Sequence, residues 1–303
     1  MTMESVKLQF VSPRVLPQSG KLLGRVAVLD VAFVADELGT SFAATTRKLI
    51  EELGPRLAVW VDHHDHERHR DYANDPRFVL AKKSEHGACP EMITEELVAR
   101  IGPVDTIVCH LDLDGLYAAA KWLRGGTEPY PGADDDARAI DTRLGTPGPT
   151  AVRIDHALRA HFRDDGLKQC IVHYVATGAQ DPVLRQRIDQ AAADFEVMER
   201  ETQRLASLYE RRGQAVFVDA QLHARTAFDK TELLLCGQAL AKVSIVRHAG
   251  YVTLAAAFDS GIDFLKLFAI SGGMPTRVTL PEKRLADVLA KFAADSQISA
   301  VDP

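Results

Sequence analysis

The sequence predicts an α/β protein in which a parallel-sheet domain is joined by a long helix to a smaller α/β domain. Three observations carry that expectation. Over the first half of the chain, short apolar segments alternate with helix-like stretches, the pattern of a parallel sheet with right-handed crossovers. A charged stretch then runs from Asp181 to Arg212, without Gly or Pro after Pro182, and its apolar residues keep helical spacing. Past Gly213 the texture becomes β-rich. The expected boundaries are residues 1–180 for the first domain, 181–212 for the connecting helix and 213–303 for the second domain.

The elements follow in order. Met1 to Lys21 is a polar, proline-punctuated lead-in. A first strand, Arg25 to Leu29, ends in Asp30 and precedes a helix-like stretch from Ser41 to Leu53. A second, Leu57 to Val61, runs into Asp62-His63-His64, with a helix expected from Cys89 to Ile101. The third, Thr106 to Cys109, ends in His110-Leu111-Asp112-Leu113-Asp114-Gly115 before a helix from Leu116 to Leu123. Gly125 to Gly148 is rich in Gly, Pro and Asp and reads as loop around one short apolar element, Ala137 to Ile140. Thr150 to Ala160 is helical in pattern, whereas Cys170 to Val175 reads as a strand. In the second domain, strands are expected at Ala215 to Val218, Lys242 to Val246, Tyr251 to Phe258 and Arg277 to Leu280. Helices are expected there at Ile262 to Ile270 and Glu282 to Ala293.

Bulk composition narrows the function classes. With 303 residues, 46% hydrophobic and 26% charged, the chain has ample core for two modest domains. A net charge of −6 argues against a dedicated binder of long nucleic acid, which needs a basic face. A small phosphorylated substrate stays compatible, because bound metal supplies local positive charge. The 4 cysteines form no CxxC pair, so reduced thiols in a cytoplasmic protein are the expectation. No apolar run approaches the length that spans a membrane.

The chemistry gathers at the strand ends. In an open parallel sheet the carboxyl ends of the strands share one edge, where ligands bind. Asp30, His63, His64, His110, Asp112 and Asp114 are therefore expected to converge. Imidazole and carboxylate crowded at the end of a buried strand is unfavourable until a divalent cation neutralises the charge. Four of the 11 histidines lie between 63 and 69, and of these His66 and His69 read as solvated loop. His110, Asp112 and Asp114 alternate, so an extended chain would point all three to one side. Gly115 permits a tight turn into the next helix, and the small residues Ala118 to Ala120 allow that helix to pack closely on the sheet.

D-H-H at one strand end and H-x-D-x-D-G at another together resemble the DHH phosphoesterase superfamily. That family includes RecJ-like exonucleases, nano-RNases, cyclic-dinucleotide phosphodiesterases, exopolyphosphatases and family II pyrophosphatases. The resemblance covers most of the chain, with the motif order changed: H-x-D-x-D follows D-H-H here. It implies two manganese ions per chain, with cobalt or magnesium as alternatives. His110 and Asp112 would bind one ion and Asp114 the other, with Asp30 bridging them and Asp36 as the competing bridge. His63 and Asp141 would complete the second site. His64 would face the substrate phosphate, oriented by Asp62. The C-terminal domain resembles the DHH-associated substrate-binding domain, which assigns Gly272, Gly273 and Arg277 to substrate.

The implied activity is hydrolysis of a phosphoester or phosphoanhydride in a nucleotide, short oligonucleotide or polyphosphate by a water activated between two metals. Two alternatives stand beside it. Val108 to Gly115 also resembles the nucleophile segment of haloacid-dehalogenase-like phosphatases, which would make Asp112 a covalent nucleophile with Asp134, Asp135 and Asp136 as distal acids. A DHH-type protein that senses a nucleotide without cleaving it is the other.

Overall fold

In the computed structural model, residues 6–35, 41–257, 259–270 and 275–293 are described. Gly272, Gly273 and Asp36 lie outside them. The chain divides into two compact units, Met1–Phe195 and Glu196–Pro303.

The first unit is a five-stranded, wholly parallel sheet in the order β1-β5-β2-β3-β4. Its strands are β1 (Lys7–Val11), β2 (Val26–Leu29), β3 (Leu57–Asp62), β4 (Phe78–Leu80) and β5 (Thr106–His110). Its helices are α1 (Lys48–Leu53), α2 (Glu95–Ile101), α3 (Leu113–Leu123), α4 (Ala133–Thr142), α5 (Pro149–Ala160), α6 (Asp165–Ala176) and α7 (Pro182–Ala193). Alternate residues of each central strand serve opposite cores. Ala27, Leu29, Val59, Val61, Ile107 and Cys109 join the larger core with α3, α5 and α6, while Val26, Val28, Trp60 and Val108 pack with Leu49, Leu53 and Phe42 on the other face. A sheet covered on both faces needs near-continuous apolar strands, which is why these segments show no polar alternation.

The sheet order also resolves the changed motif order. β5, third among the expected strands, inserts beside β2, so β5, β2 and β3 are neighbours although β4 intervenes in the chain. Leu29 is in register with both Val61 and Cys109. The next residues, Asp30, Asp62 and His110, therefore form one row at the carboxyl edge.

Several elements differ from the sequence reading. Lys7–Val11, taken as lead-in, is an edge strand paired with β5. Cys170 to Val175 lies in α6, not in a strand. Leu167, Cys170, Ile171, Val172, Tyr174 and Val175 are all buried. Only a narrow stripe, with Gln169 exposed and His173 half-buried, faces outward, too little amphipathic period over 170–175 to separate a helix from a strand. Ala137 to Ile140 belongs to α4, whose first turn carries Asp134, Asp135 and Asp136, where the helix dipole favours acids. The expected single helix over 181–212 is instead α7, then α8 (Phe195–Ala206), then a strand, β6 (Glu210–Arg212). The break falls at Asp194, and the run ends because β6 pairs with the next strand.

The second unit holds α8 and a five-stranded mixed sheet, in the order β10-β9-β8-β7-β6. It comprises β6, β7 (Ala215–Asp219), α9 (Ala220–His223), α10 (Lys230–Gln238), β8 (Val243–His248), β9 (Tyr251–Ala255), α11 (Phe264–Phe268), β10 (Arg277–Pro281) and α12 (Leu285–Ala293). Ile245, Leu254, Val278, Phe264 and Phe292 fill one core, and Val246, Leu233 and Leu234 another. Among the described residues no helix is long and apolar enough to cross a membrane.

Candidate metal centre

Three groups of ligand-type side chains meet at the carboxyl edge of the first sheet: Asp30 with His63 and His64, Asp30 with His110 and Asp112, and His63 with Asp114 and Asp141. The seven residues come from three strand ends and two helices, α3 and α4.

Asp30 follows β2 with φ 58° and is 1% exposed. Aspartate is among the few residues that tolerate this left-handed conformation, and here it turns the side chain out of the sheet into the centre. Its amide still donates to the Val61 carbonyl at 2.8 Å, so the turn keeps a sheet-like hydrogen bond. Both carboxylate oxygens are buried without a hydrogen-bond partner. Oδ1 lies 3.3 Å from His63 Nε2 and Oδ2 lies 3.7 Å from His110 Nδ1.

His63 is fully buried, and its Nδ1 donates to the His86 carbonyl at 2.8 Å. A backbone carbonyl at Nδ1 fixes the tautomer and leaves Nε2 as the outward donor atom. That atom faces Asp114 at 3.1 Å, Asp30 at 3.3 Å and Asp141 at 3.8 Å. His64, about one-third exposed, is held through Nδ1 by Asp62 Oδ1 at 2.8 Å. His66 and His69 stay outside the groups: His66 Nδ1 accepts the Arg68 amide, and His69 meets the Phe33 ring edge-on.

The H-x-D-x-D-G segment is not extended throughout. β5 ends at His110, and the chain turns at once into α3, so Asp112 caps that helix by accepting the Gly115 amide while Asp114 sits in its first turn. The strand-to-helix turn aims Asp112 at His110 Nδ1, 2.8 Å away, and sends Asp114 to the other side, toward His63. Both Asp114 oxygens accept the Cys89 amide at 3.1 Å. Gly115 serves close approach rather than turn conformation: a Cβ there would lie 2.5 Å from the His110 carbonyl oxygen. Gly115→Ala should therefore destabilise the protein by about 2 kcal/mol, the scale of overpacking, and a urea midpoint equal to the parent's would contradict this. Ala118, Ala119 and Ala120 are fully buried, as close packing on the sheet requires.

Asp141 lies near the end of α4, away from any strand end. Arg138, one turn earlier, pairs with Glu91 at 2.6 Å, and Gly87 leaves room for the Arg138 side chain. These contacts dock α4 against the 83–91 segment. Asp141 Oδ2 also meets an ammonium that sequence reasoning missed, Lys83 Nζ at 2.6 Å. No motif marks Lys83, and its role appears only once α4 and the loop after β4 are side by side.

The electrostatics are those of unneutralised acids. Burial alone would raise the Asp30 carboxyl, but the imidazoles of His110 and His63 hold it well below the usual range. Burial works against a charged His63, yet the carboxylates of Asp114 and Asp30 outweigh it and push its pKa up to about 11. Desolvation also opposes a charged His110, which Asp112 and Asp30 raise well above its ordinary value. Asp114 is pushed well upward by burial and by the neighbouring Asp30 charge. Imidazoles and the Lys83 ammonium thus face the carboxylates in groups whose atoms could hold a metal ion. Asp30 Oδ1 and Oδ2, His63 Nε2 and His110 Nδ1 are buried donor atoms without hydrogen bonds, a costly condition that metal coordination relieves.

The remaining expected positions are less gathered. Arg277 opens β10 and donates to the Thr231 hydroxyl at 3.2 Å. Burial and the Arg277 charge press the neighbouring Lys230 pKa down. Asp134, Asp135 and Asp136, the distal acids of the dehalogenase-like alternative, are already partnered by Lys121, Arg138 and Tyr130 respectively.

No family model and no curated protein matches the chain. Among solved structures it is similar to the pGpG-specific phosphodiesterase PggH from Vibrio cholerae, with 11% identity and a TM-score of 0.44, over 90% of this chain and 100% of that one. It is also similar to the exonuclease RecJ bound to manganese, with 14% identity and a TM-score of 0.47, over 91% of this chain and 75% of that one.

Proposed function

We propose that the chain is a DHH-type, divalent-metal phosphohydrolase acting on a phosphoester or phosphoanhydride of a small anionic substrate: a nucleotide, short oligonucleotide or polyphosphate. The observation that carries this reading is the Asp30 carboxylate, buried and free of hydrogen bonds, with one oxygen toward His63 and the other toward His110. One side chain thereby belongs to two donor groups. His110 and Asp112 with Asp30 would hold one cation, and His63, Asp114 and Asp141 with Asp30 the other. Four carboxylates balance two divalent cations, and mixed imidazole and carboxylate donors suit manganese or cobalt better than calcium. Bound there, the ions would supply Lewis acidity to phosphoryl oxygens and acidify a water.

The chain's own groups supply orientation. The Cys89 amide fixes Asp114, the His86 carbonyl fixes the His63 tautomer, and Asp62 fixes His64. His64, with Nδ1 held by Asp62 as its positioning residue, would donate through Nε2 to a substrate phosphate. Gly272, Gly273 and Arg277 are the proposed substrate-binding residues of the second unit.

A manganese-supplemented panel of pyrophosphate, polyphosphate, cyclic dinucleotides and short oligonucleotides tests this. Phosphate or nucleotide release from at least one substrate is expected, abolished by a chelator and without a covalent intermediate. An acid-stable phosphoprotein labelled at Asp112 would establish the dehalogenase-like chemistry instead. Binding of a nucleotide with no turnover on any substrate would establish the sensing protein.

A further inference from the structure

One short segment touches every member of the His63–Asp114–Asp141 group. The Lys83 ammonium meets Asp141, the His86 carbonyl receives His63 Nδ1, and the Cys89 amide meets Asp114. His86 and Cys89 contribute backbone atoms that leave the donor atoms free. Lys83 differs, because it contributes a full positive charge placed 2.6 Å from a carboxylate oxygen that itself faces His63 Nε2 at 3.8 Å. Its side chain is 37% exposed, so the ammonium reaches the group from the solvent side on a flexible four-carbon stem.

We propose that Lys83 is a resident counter-cation that occupies Asp141 in the metal-free protein and moves to the substrate phosphate once a divalent cation enters the His63–Asp114–Asp141 group. The proposal deepens the metal-dependent reading and rests on it. A divalent ion and an ammonium on Asp141 repel each other, so each lowers the other's occupancy of that carboxylate. Lys83 and His64 are 37% and 32% exposed, so both side chains have access to solvent, from which a substrate phosphate would approach. A displaced ammonium would gain an anionic oxygen of the substrate as its new partner. The same lysine would then hold metal affinity down and hold phosphate affinity up, and the two effects have opposite signs on removal.

Calorimetric titration of manganese into the parent, Lys83→Met and Lys83→Gln tests the first half, with inorganic phosphate titrated into each manganese-loaded protein for the second. Both variants should bind manganese on the order of tenfold more tightly, because a competing cation is gone. Both should bind inorganic phosphate on the order of tenfold more weakly. Glutamine keeps a hydrogen-bond donor without the charge, so parent-like manganese affinity in Lys83→Gln alone would show a structural role and overturn the proposal. Unchanged or weaker manganese affinity in both variants would overturn it too, as would parent-like phosphate binding. If the parent binds no manganese, the metal reading falls and this inference falls with it. A parent that binds manganese with Lys83→Met equal to it removes Lys83 only.

Discussion

Asp30→Asn should be the most damaging single substitution in the protein. It is nearly isosteric, so the backbone at φ 58°, which asparagine also tolerates, should persist. What changes is charge: one carboxylate reaching both His63 and His110 becomes an amide whose NH2 points at one of them. If that carboxylate is shared by two cations, its loss weakens both sites at once. Manganese affinity should fall by about 100-fold or more at each, and turnover should disappear. Asp112→Asn and Asp114→Asn each remove a ligand from one group and should each leave the other group able to bind. Far-UV circular dichroism and a urea melt on the metal-free proteins separate this from misfolding.

His64→Ala should do the reverse, removing turnover while leaving the metals. His64 is the most exposed imidazole of the three, at 32% against 21% for His110 and 0% for His63, and its Nδ1 is committed to Asp62. A side chain donating a proton or a hydrogen bond to the reacting phosphate contributes about 10²–10⁴ in rate. Manganese stoichiometry should equal that of the parent while kcat falls into that range, and Asp62→Asn should lose less because His64 remains without its orienting partner. The rival outcome is specific. His64 also lies in a ligand group with Asp30 and His63, so loss of one manganese ion in His64→Ala would make it a ligand.

Much of this centre is legible in the sequence, for a physical reason. Asp30, His63, His64 and His110 stand directly after apolar runs, and in a parallel sheet strand ends share an edge whatever the chain order. Register then aligns them without further information. Asp112 and Asp114 are legible through their spacing, although the turn into α3 splits them between two groups instead of aligning them. Asp141 is legible only through the resemblance, because it sits on a helix whose acid-rich start and short apolar stretch read as loop.

Lys83 is invisible to any local pattern. Its significance depends on α4 docking against the 83–91 segment, a contact between residues 58 positions apart, Lys83 and Asp141. The errors in the fold have two causes. α6 is buried over most of its surface, and the mostly apolar stretch from Cys170 to Val175 then fits a helix or a strand equally well. β1 and β4 are short edge strands whose polar flanks hide them.

Metal stoichiometry tests the central claim most directly, that one buried carboxylate serves two cation sites. Calorimetric titration of manganese into the metal-free parent and into Asp30→Asn, side by side, should give close to two ions per chain in the parent and none at the same concentrations in the variant. One ion per chain in the parent at saturation, or two in Asp30→Asn with parent-like affinity, would contradict it.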